Sequence, residues 1–106
     1  MVKRYRLKKG VGVKTLLENG FKYSLNREYL TKCITLKESI ILYITVALVD
    51  LKLNIEVLDE DFMQYYTPFY RYREEDIKNF KFLKEVINRY ETEIEKLDNI
   101  LEQYFK

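Results

Sequence analysis

Most of the side chains that enzymes use for proton and acyl transfer are missing from this chain. Its 106 residues include no histidine, one cysteine and two serines. Without imidazole the commonest general base is absent, and so is every Ser–His or Cys–His nucleophile pair. Cys33 alone cannot make a structural zinc site, which draws on several Cys and His ligands. Neither Ser24 nor Ser39 stands in a strand–turn–helix nucleophile context. Gly10-Val11-Gly12 lacks the later glycine and the Lys-Ser/Thr pair of a phosphate-binding loop. Carboxylates remain, and Asp59-Glu60-Asp61 is the one acidic cluster that could offer oxygen ligands to a divalent cation. The Phe-Met-Gln that follows supplies no further ligand at calcium-loop offsets, so the cluster reads as a solvated strand end. Cys33 sits among β-branched residues and reads as a small buried hydrophobe rather than a reactive thiol. No catalytic residue, metal site or cofactor is expected.

Binding chemistry is plentiful by contrast. Residues 65–73 bring together Tyr65, Tyr66, Phe69, Tyr70 and Tyr72 with Arg71 and Arg73. Tyrosine and arginine are what interface hot spots are enriched in. Interleaved rings and cations also suit base stacking, though acidic residues flank this segment on both sides and weaken that version. The plain alternative is a loop whose rings cap one end of the core. A second cluster lies at the N-terminus: Lys3, Arg4, Arg6, Lys8 and Lys9, with no acid among them. These cations could neutralise nucleic-acid phosphates. They could equally mark a solvated edge strand, because Arg4, Arg6 and Lys8 share one parity while Tyr5 and Leu7 take the other. Charge is uneven along the chain. Residues 1–37 hold ten Lys or Arg against two Glu, and residues 38–106 hold nine against fifteen acids. Such a dipole bears on partners and says nothing about fold.

These groups must be carried by elements, and periodicity predicts which. Residues 13–20 read as a short helix with Asn19-Gly20 as a left-handed stop. Residues 29–36 alternate, with Leu30, Ile34 and Leu36 on one side and Thr31, Cys33 and Thr35 on the other, which predicts a strand. Lys37-Glu38-Ser39 is a polar break short enough for a hairpin. Residues 40–49 are apolar at nearly every position and suit a central strand covered on both faces. After Asp50, Leu53, Ile55 and Val57 alternate with Lys52, Asn54 and Glu56, giving a further strand with one wet face.

Beyond residue 74 there is no Gly, Pro or Ser. Phe80, Leu83, Ile87, Tyr90, Ile94, Leu97, Leu101 and Tyr104 are spaced alternately three and four apart, which predicts one long helix over 74–106. Glu74, Glu75 and Asp76 suit its N-terminal end, while Thr67-Pro68 offers an alternative start. A helix of that length spans about 45 Å, against about 33 Å for a ten-residue strand. Its end, with Leu97, Ile100, Leu101, Tyr104 and Phe105, would overhang the sheet and favour a homodimer through the C-terminal helix.

The expected architecture is therefore a single α+β domain. Its sheet region covers about 1–58, an aromatic connection about 59–73 and the long helix about 74–106. The sheet is expected to be antiparallel with three or four strands. A composition of 47 % hydrophobic and 34 % charged residues is neither disordered nor membrane-like. The longest apolar stretch, 39–49, is about half of the ~20 residues a membrane-spanning helix needs. No apolar run follows the basic N-terminus, so no signal peptide is expected, and the lone cysteine suits a reducing compartment. Cytoplasmic location is the expectation.

The segments GVGVKTLLENGFKY at 10–23, VLDEDF at 57–62 and YTPFY at 66–70 resemble small uncharacterised proteins of phages and mobile elements of Gram-positive bacteria. The resemblance implies a class: accessory proteins that bind a host or defence protein one to one, as anti-CRISPR inhibitors do. It carries no functional residue. The function expected is non-catalytic, stoichiometric protein binding. The alternatives are a nucleic-acid-binding regulator using the basic N-terminal half, and a structural homodimer.

Overall fold

The computed structural model describes residues 4–104, so Lys3 and Phe105 of the expected binding clusters lie outside the described residues. In chain order the elements are β1 (Arg4–Leu7), α1 (Val13–Glu18), β2 (Lys22–Tyr23), β3 (Tyr29–Lys37), β4 (Ile40–Ala47), β5 (Leu53–Asp59), β6 (Gln64–Tyr65), α2 (Thr67–Tyr70), α3 (Glu74–Asn79), α4 (Lys81–Glu95) and β7 (Leu101–Tyr104). The fold is α+β. Instead of one sheet of three or four strands there are two: a five-stranded antiparallel sheet ordered β2-β3-β4-β5-β6, and a two-stranded antiparallel ribbon of β1 and β7. Alternation along β3 and β5 falls as expected, and the hairpin between β3 and β4 turns on Glu38 at φ 50°. Leu36 is the extra residue of a bulge there, since Thr35 faces Ile41 and Lys37 already faces Ile40.

Helix α1 ends where Asn19-Gly20 predicts. Gly20 has φ +89°, and a Cβ placed there would meet Lys32 Nζ at 2.6 Å. That ammonium donates to the Asn19 carbonyl at 2.7 Å, a cation at the helix's negative end. Lys32 shares the inner face of the sheet with Leu30 and Ile34, and this capping bond accounts for a charge on that side.

The long helix over 74–106 does not form as one piece. Phe80, at φ −129° and ψ 84°, separates α3 from α4, and α4 ends at Glu95. Both expected starts are used, because Pro68 lies in the first turn of α2 and the acidic trio Glu74, Glu75 and Asp76 opens α3. After α4 the chain turns through Leu97 and Ile100 and returns as β7, pairing Arg6 with Glu102 and Leu7 with Leu101. The physical reason is burial. Continued as a helix, this tail would carry its apolar residues past the sheet. Turned back, it leaves Leu97, Ile100 and Leu101 at 4 % exposure or less, each worth roughly 1.5–3 kcal/mol. Among the described residues no helix overhangs the sheet, and Leu97, Ile100 and Leu101 of the expected self-association cluster are core residues.

One core joins the inner face of the large sheet to the helices and ribbon. Leu30, Leu42, Ile44, Val46 and Val57 meet Leu16 of α1, Phe69 of α2, and Leu83, Val86, Tyr90 and Ile94 of α4. Lys37 of β3 and Glu85 of α4 close the edge of this layer at 2.6 Å. Glu93 is the one buried charged side chain among the described residues, taking Arg89 at 3.1 Å and Lys96 at 3.2 Å. Burial works to raise its pKa, but the hydrogen bonds from Lys96 and Arg89 prevail and hold the carboxyl below its ordinary value.

Candidate functional site

Antiparallel register determines which residues share the other face of the large sheet, since directly opposed residues point the same way. β3 contributes Tyr29, Thr31, Cys33 and Thr35, which face Ala47, Thr45, Tyr43 and Ile41 of β4. β5 adds Asn54, Glu56 and Leu58. Lys22 of β2 and Tyr65 of β6 complete it at the two edges. None of these residues belongs to the core or packs against it. Even Ile41, 7 % exposed, is shielded only by its neighbours on this side. The expectation that β4 is covered on both faces is therefore corrected: the helices cover one.

The composition of this bare face is unusual for the chain. Of its thirteen residues only Lys22 and Glu56 are charged, in a protein that is 34 % charged. Depletion of charge is what separates the centre of a protein interface from ordinary surface. The face is also shaped. Cys33, Ile41, Tyr43, Leu58, Met63 and Gln64 line a depression of about 380 Å³, to which Asp59 and Glu60 of the β5–β6 end add two carboxylates. The turn from β5 to β6 raises Phe62 and Met63 at its margin, 71 % and 88 % exposed. Glu56 is tied down by Asn54 Nδ2 at 2.9 Å, and its interaction with the Tyr65 hydroxyl raises that phenol above its ordinary pKa.

Cys33 is exposed here, which corrects its reading as a buried hydrophobe. In β3 it takes the parity of Thr31 and Thr35, away from the core. It is not an activated thiol either: partial burial first, and the Glu60 carboxylate second, hold its pKa above the ordinary value.

The Tyr/Arg segment does not act as a unit. Phe69 is a core residue at 4.7 Å from the Tyr90 ring. Tyr66 and Tyr72 are half-buried against the core, and burial raises the Tyr66 pKa, with Asp59 adding to it. Tyr70 is spent on the sheet edge, where its hydroxyl accepts the Val57 N–H at 2.8 Å in place of a neighbouring strand. Arg73 caps α3, its backbone N–H donating to Asp76 Oδ2 at 2.8 Å. Tyr65, Tyr70, Arg71 and Arg73 are exposed, Tyr70 and Arg73 while making these bonds, and Tyr65 lies on the bare face.

The basic cluster is placed as a strand. Arg4 and Arg6 point outward from β1 while Tyr5 and Leu7 pack on the core. Arg6 is engaged by Glu102 at 3.1 Å and lies over the Tyr104 ring, leaving Arg4, Lys8 and Lys9 as its exposed cations. They are not on the bare face. Asp59 Oδ1 accepts from Ser39 Oγ and from the Asp61 N–H, both at 3.1 Å, so the acidic cluster shapes a turn. Among the described residues no group of three or more Cys, Asp or Glu is placed to hold a metal ion. Nor is any helix there long and apolar enough to cross a membrane.

Sequence reasoning missed the face because its residues are scattered from position 22 to position 65 and only pairing assembles them. The signal was present in part: Thr31, Cys33 and Thr35 alternate as a polar, uncharged row. Comparison of the chain with protein-family models, with curated proteins and with solved structures found no match.

Proposed function

We propose that this chain is a non-catalytic protein-binding module whose contact surface is the uncovered face of the five-stranded sheet. The observation that carries this reading is the charge depletion of that face. An uncharged, partly apolar surface costs little to desolvate, and most of the chain's Lys, Arg, Asp and Glu side chains lie elsewhere. The face measures roughly 20 by 20 Å, on the order of 400 Å² in projection. A standard interface takes about 800 Å² from each partner, so Tyr65, Phe62 and Met63 at the margin belong to the contact. The fitting partner presents a neutral surface of similar flatness. The absence of histidine, of a nucleophile pair and of a phosphate-binding loop supports binding over catalysis. The resemblance to phage and mobile-element proteins makes a host or defence protein the partner to seek, bound one to one as by an inhibitor.

Nucleic acid fits this face poorly, because phosphate recognition needs cations and the strands supply only Lys22, with Arg71 beside Asn54, Glu56 and Tyr65 at one edge. The test is affinity co-purification from a bacterial lysate with mass spectrometry, with and without nuclease, using the wild-type chain and Tyr43→Arg. A nuclease-resistant partner that is captured one to one by wild type and lost by Tyr43→Arg, at unchanged melting temperature, supports the reading. Capture that survives Tyr43→Arg moves the contact elsewhere. Capture abolished by nuclease points instead to the cations of β1, and a second copy as the sole capture makes the protein a homodimer.

A further inference from the structure

A second feature lies in the helix layer, independent of the sheet face. A cavity of about 370 Å³ opens between β1, α2 and α4. Four rings contribute to its walls: Tyr5 of β1, Phe69 of α2, Tyr72 just beyond it, and Tyr90 of α4. Its floor is aliphatic, from Ile87, Ile94 and Leu101. Its remaining lining is Glu91, Glu95 and Asp98, three exposed carboxylates with no ion-pair partner among the described residues. No Lys or Arg lines it, although the chain as a whole carries a net charge of +2.

Tyr90 gives the cavity its direction. It is 7 % exposed, no hydrogen bond reaches its hydroxyl among the described residues, and the residue lines both this cavity and an adjoining one of about 460 Å³ bounded by Arg4 and Tyr70. Burial first, and then the proximity of Tyr5, Tyr70, Glu91 and Tyr72, oppose its ionisation. It is therefore a neutral phenol with an unused acceptor, on a residue that lines the space. Since no buried side-chain oxygen among the described residues lacks a partner, this hydroxyl keeps some contact with solvent, and an incoming donor would take the place of water there.

We propose that this cavity binds an alkylammonium ion, a positive nitrogen carried on an aliphatic stem. Each part of the lining matches one part of such a ligand. The ring faces attract a cation through their quadrupoles. The three carboxylates supply long-range attraction and the Tyr90 hydroxyl an acceptor, while the aliphatic floor receives the stem. A metal ion is a poor fit, because the carboxylates do not converge as a ligand group and the ring walls offer no hard oxygen ligands. A carboxylate or phosphate ligand would meet three like charges. Lysine side chains and free polyamines share the required chemistry.

The experiment is an NMR titration of the intact protein, following the methyls of Ile87, Ile94 and Leu101. The probes are Nα-acetyl-lysine amide, its neutral analogue without the terminal ammonium, Nα-acetyl-norleucine amide, and spermidine. The expected result is saturable shifts of those methyls with the lysine derivative or with spermidine, and none with the norleucine derivative. Tighter binding of the lysine derivative identifies a peptide-borne ligand, and tighter binding of spermidine a free polyamine. Glu91→Gln/Glu95→Gln/Asp98→Asn changes only exposed side chains and should weaken binding about tenfold. Tyr72→Ala, which removes one wall, should weaken it by about three- to tenfold. No saturation by about 20 mM, equal shifts with the norleucine derivative, or undiminished affinity in the triple variant would overturn the proposal.

Discussion

The two faces of β4 are built from one strand and behave as two materials. Leu42, Ile44 and Val46 are fully buried beneath α1 and α4, whereas Tyr43, Thr45 and Ala47, one residue away in each case, have no layer above them. Sequence hydropathy already separates the two sets, three branched aliphatic side chains against Tyr, Thr and Ala, although none of the six is charged. The inner row contributes most of its worth to folding. The outer row contributes little to folding and is cheap to desolvate, so what it has to offer is free for a partner. An apolar strand centre facing solvent, in a chain that charges a third of its residues, is a cost that binding can offset.

The sharpest way to break this contrast is a charge on each face. Ile44→Asp places an unpaired carboxylate in the core and should prevent folding, a loss of several kcal/mol, visible as an unfolded circular-dichroism spectrum. If Ile44→Asp folds normally, the two faces have been assigned the wrong way round. Next in size is the tail. Ile100→Ala empties a fully buried site beyond α4 and should cost about 2–4 kcal/mol in urea denaturation. Were the tail instead a surface for self-association, the same change would alter mass in light scattering and leave stability intact.

The tail also shows where sequence reading stops. The three-and-four spacing correctly placed Leu83, Ile87, Tyr90 and Ile94 on one helical face, and it kept working numerically through Leu97, Leu101 and Tyr104. Periodicity reports which residues seek the core and not by which backbone path they reach it. β7 is four residues long and is specified by β1, nearly the whole chain away, so no local signal announces it. The break at Phe80 carries no Gly or Pro either. β3 and β5 were legible because each alternates within a short window, and so was the stop at Gly20. The bare face was half legible: the polar row of β3 could be read, but whether the apolar row of β4 was covered depended on where the helices went. In the 65–73 segment the four-residue turn of α2 decides which ring goes inward, and composition cannot say that Phe69 is core while Tyr65 is surface. The cavity was invisible, since Tyr5, Tyr72 and Tyr90 meet only after β1 folds against α4.

Two smaller effects test the boundary between the faces. Tyr70→Phe deletes the acceptor that occupies the edge of β5 and should cost about 1 kcal/mol, with faster hydrogen exchange at the Val57 amide as its specific signature. Glu93→Gln should cost about 1 kcal/mol or less near neutral pH, because Arg89 and Lys96 are half-exposed and solvent screens them. The sign of its pH dependence follows from the depressed carboxyl. The contribution is complete above the unfolded carboxylate range, near pH 4.3, and fades as pH falls through the lower folded value. The wild-type and Glu93→Gln stability curves should therefore converge in acid.

The smallest expected effect on stability is the most telling. Thr45 lies at the middle of the bare face, between Thr31 and Asn54. Thr45→Lys introduces a solvated cation there and sacrifices only a modest strand preference, so the melting curve should shift by less than about 1 kcal/mol. Such a residue would ordinarily be dismissed as neutral. If the face is an interface, that lysine must be stripped of water without a counter-charge when a partner docks, and this penalty exceeds what most single contacts return. Capture should then fail although the fold is intact. A Thr45→Lys protein that is as stable as wild type and captures its partner as well would show that the uncharged face has no part in binding.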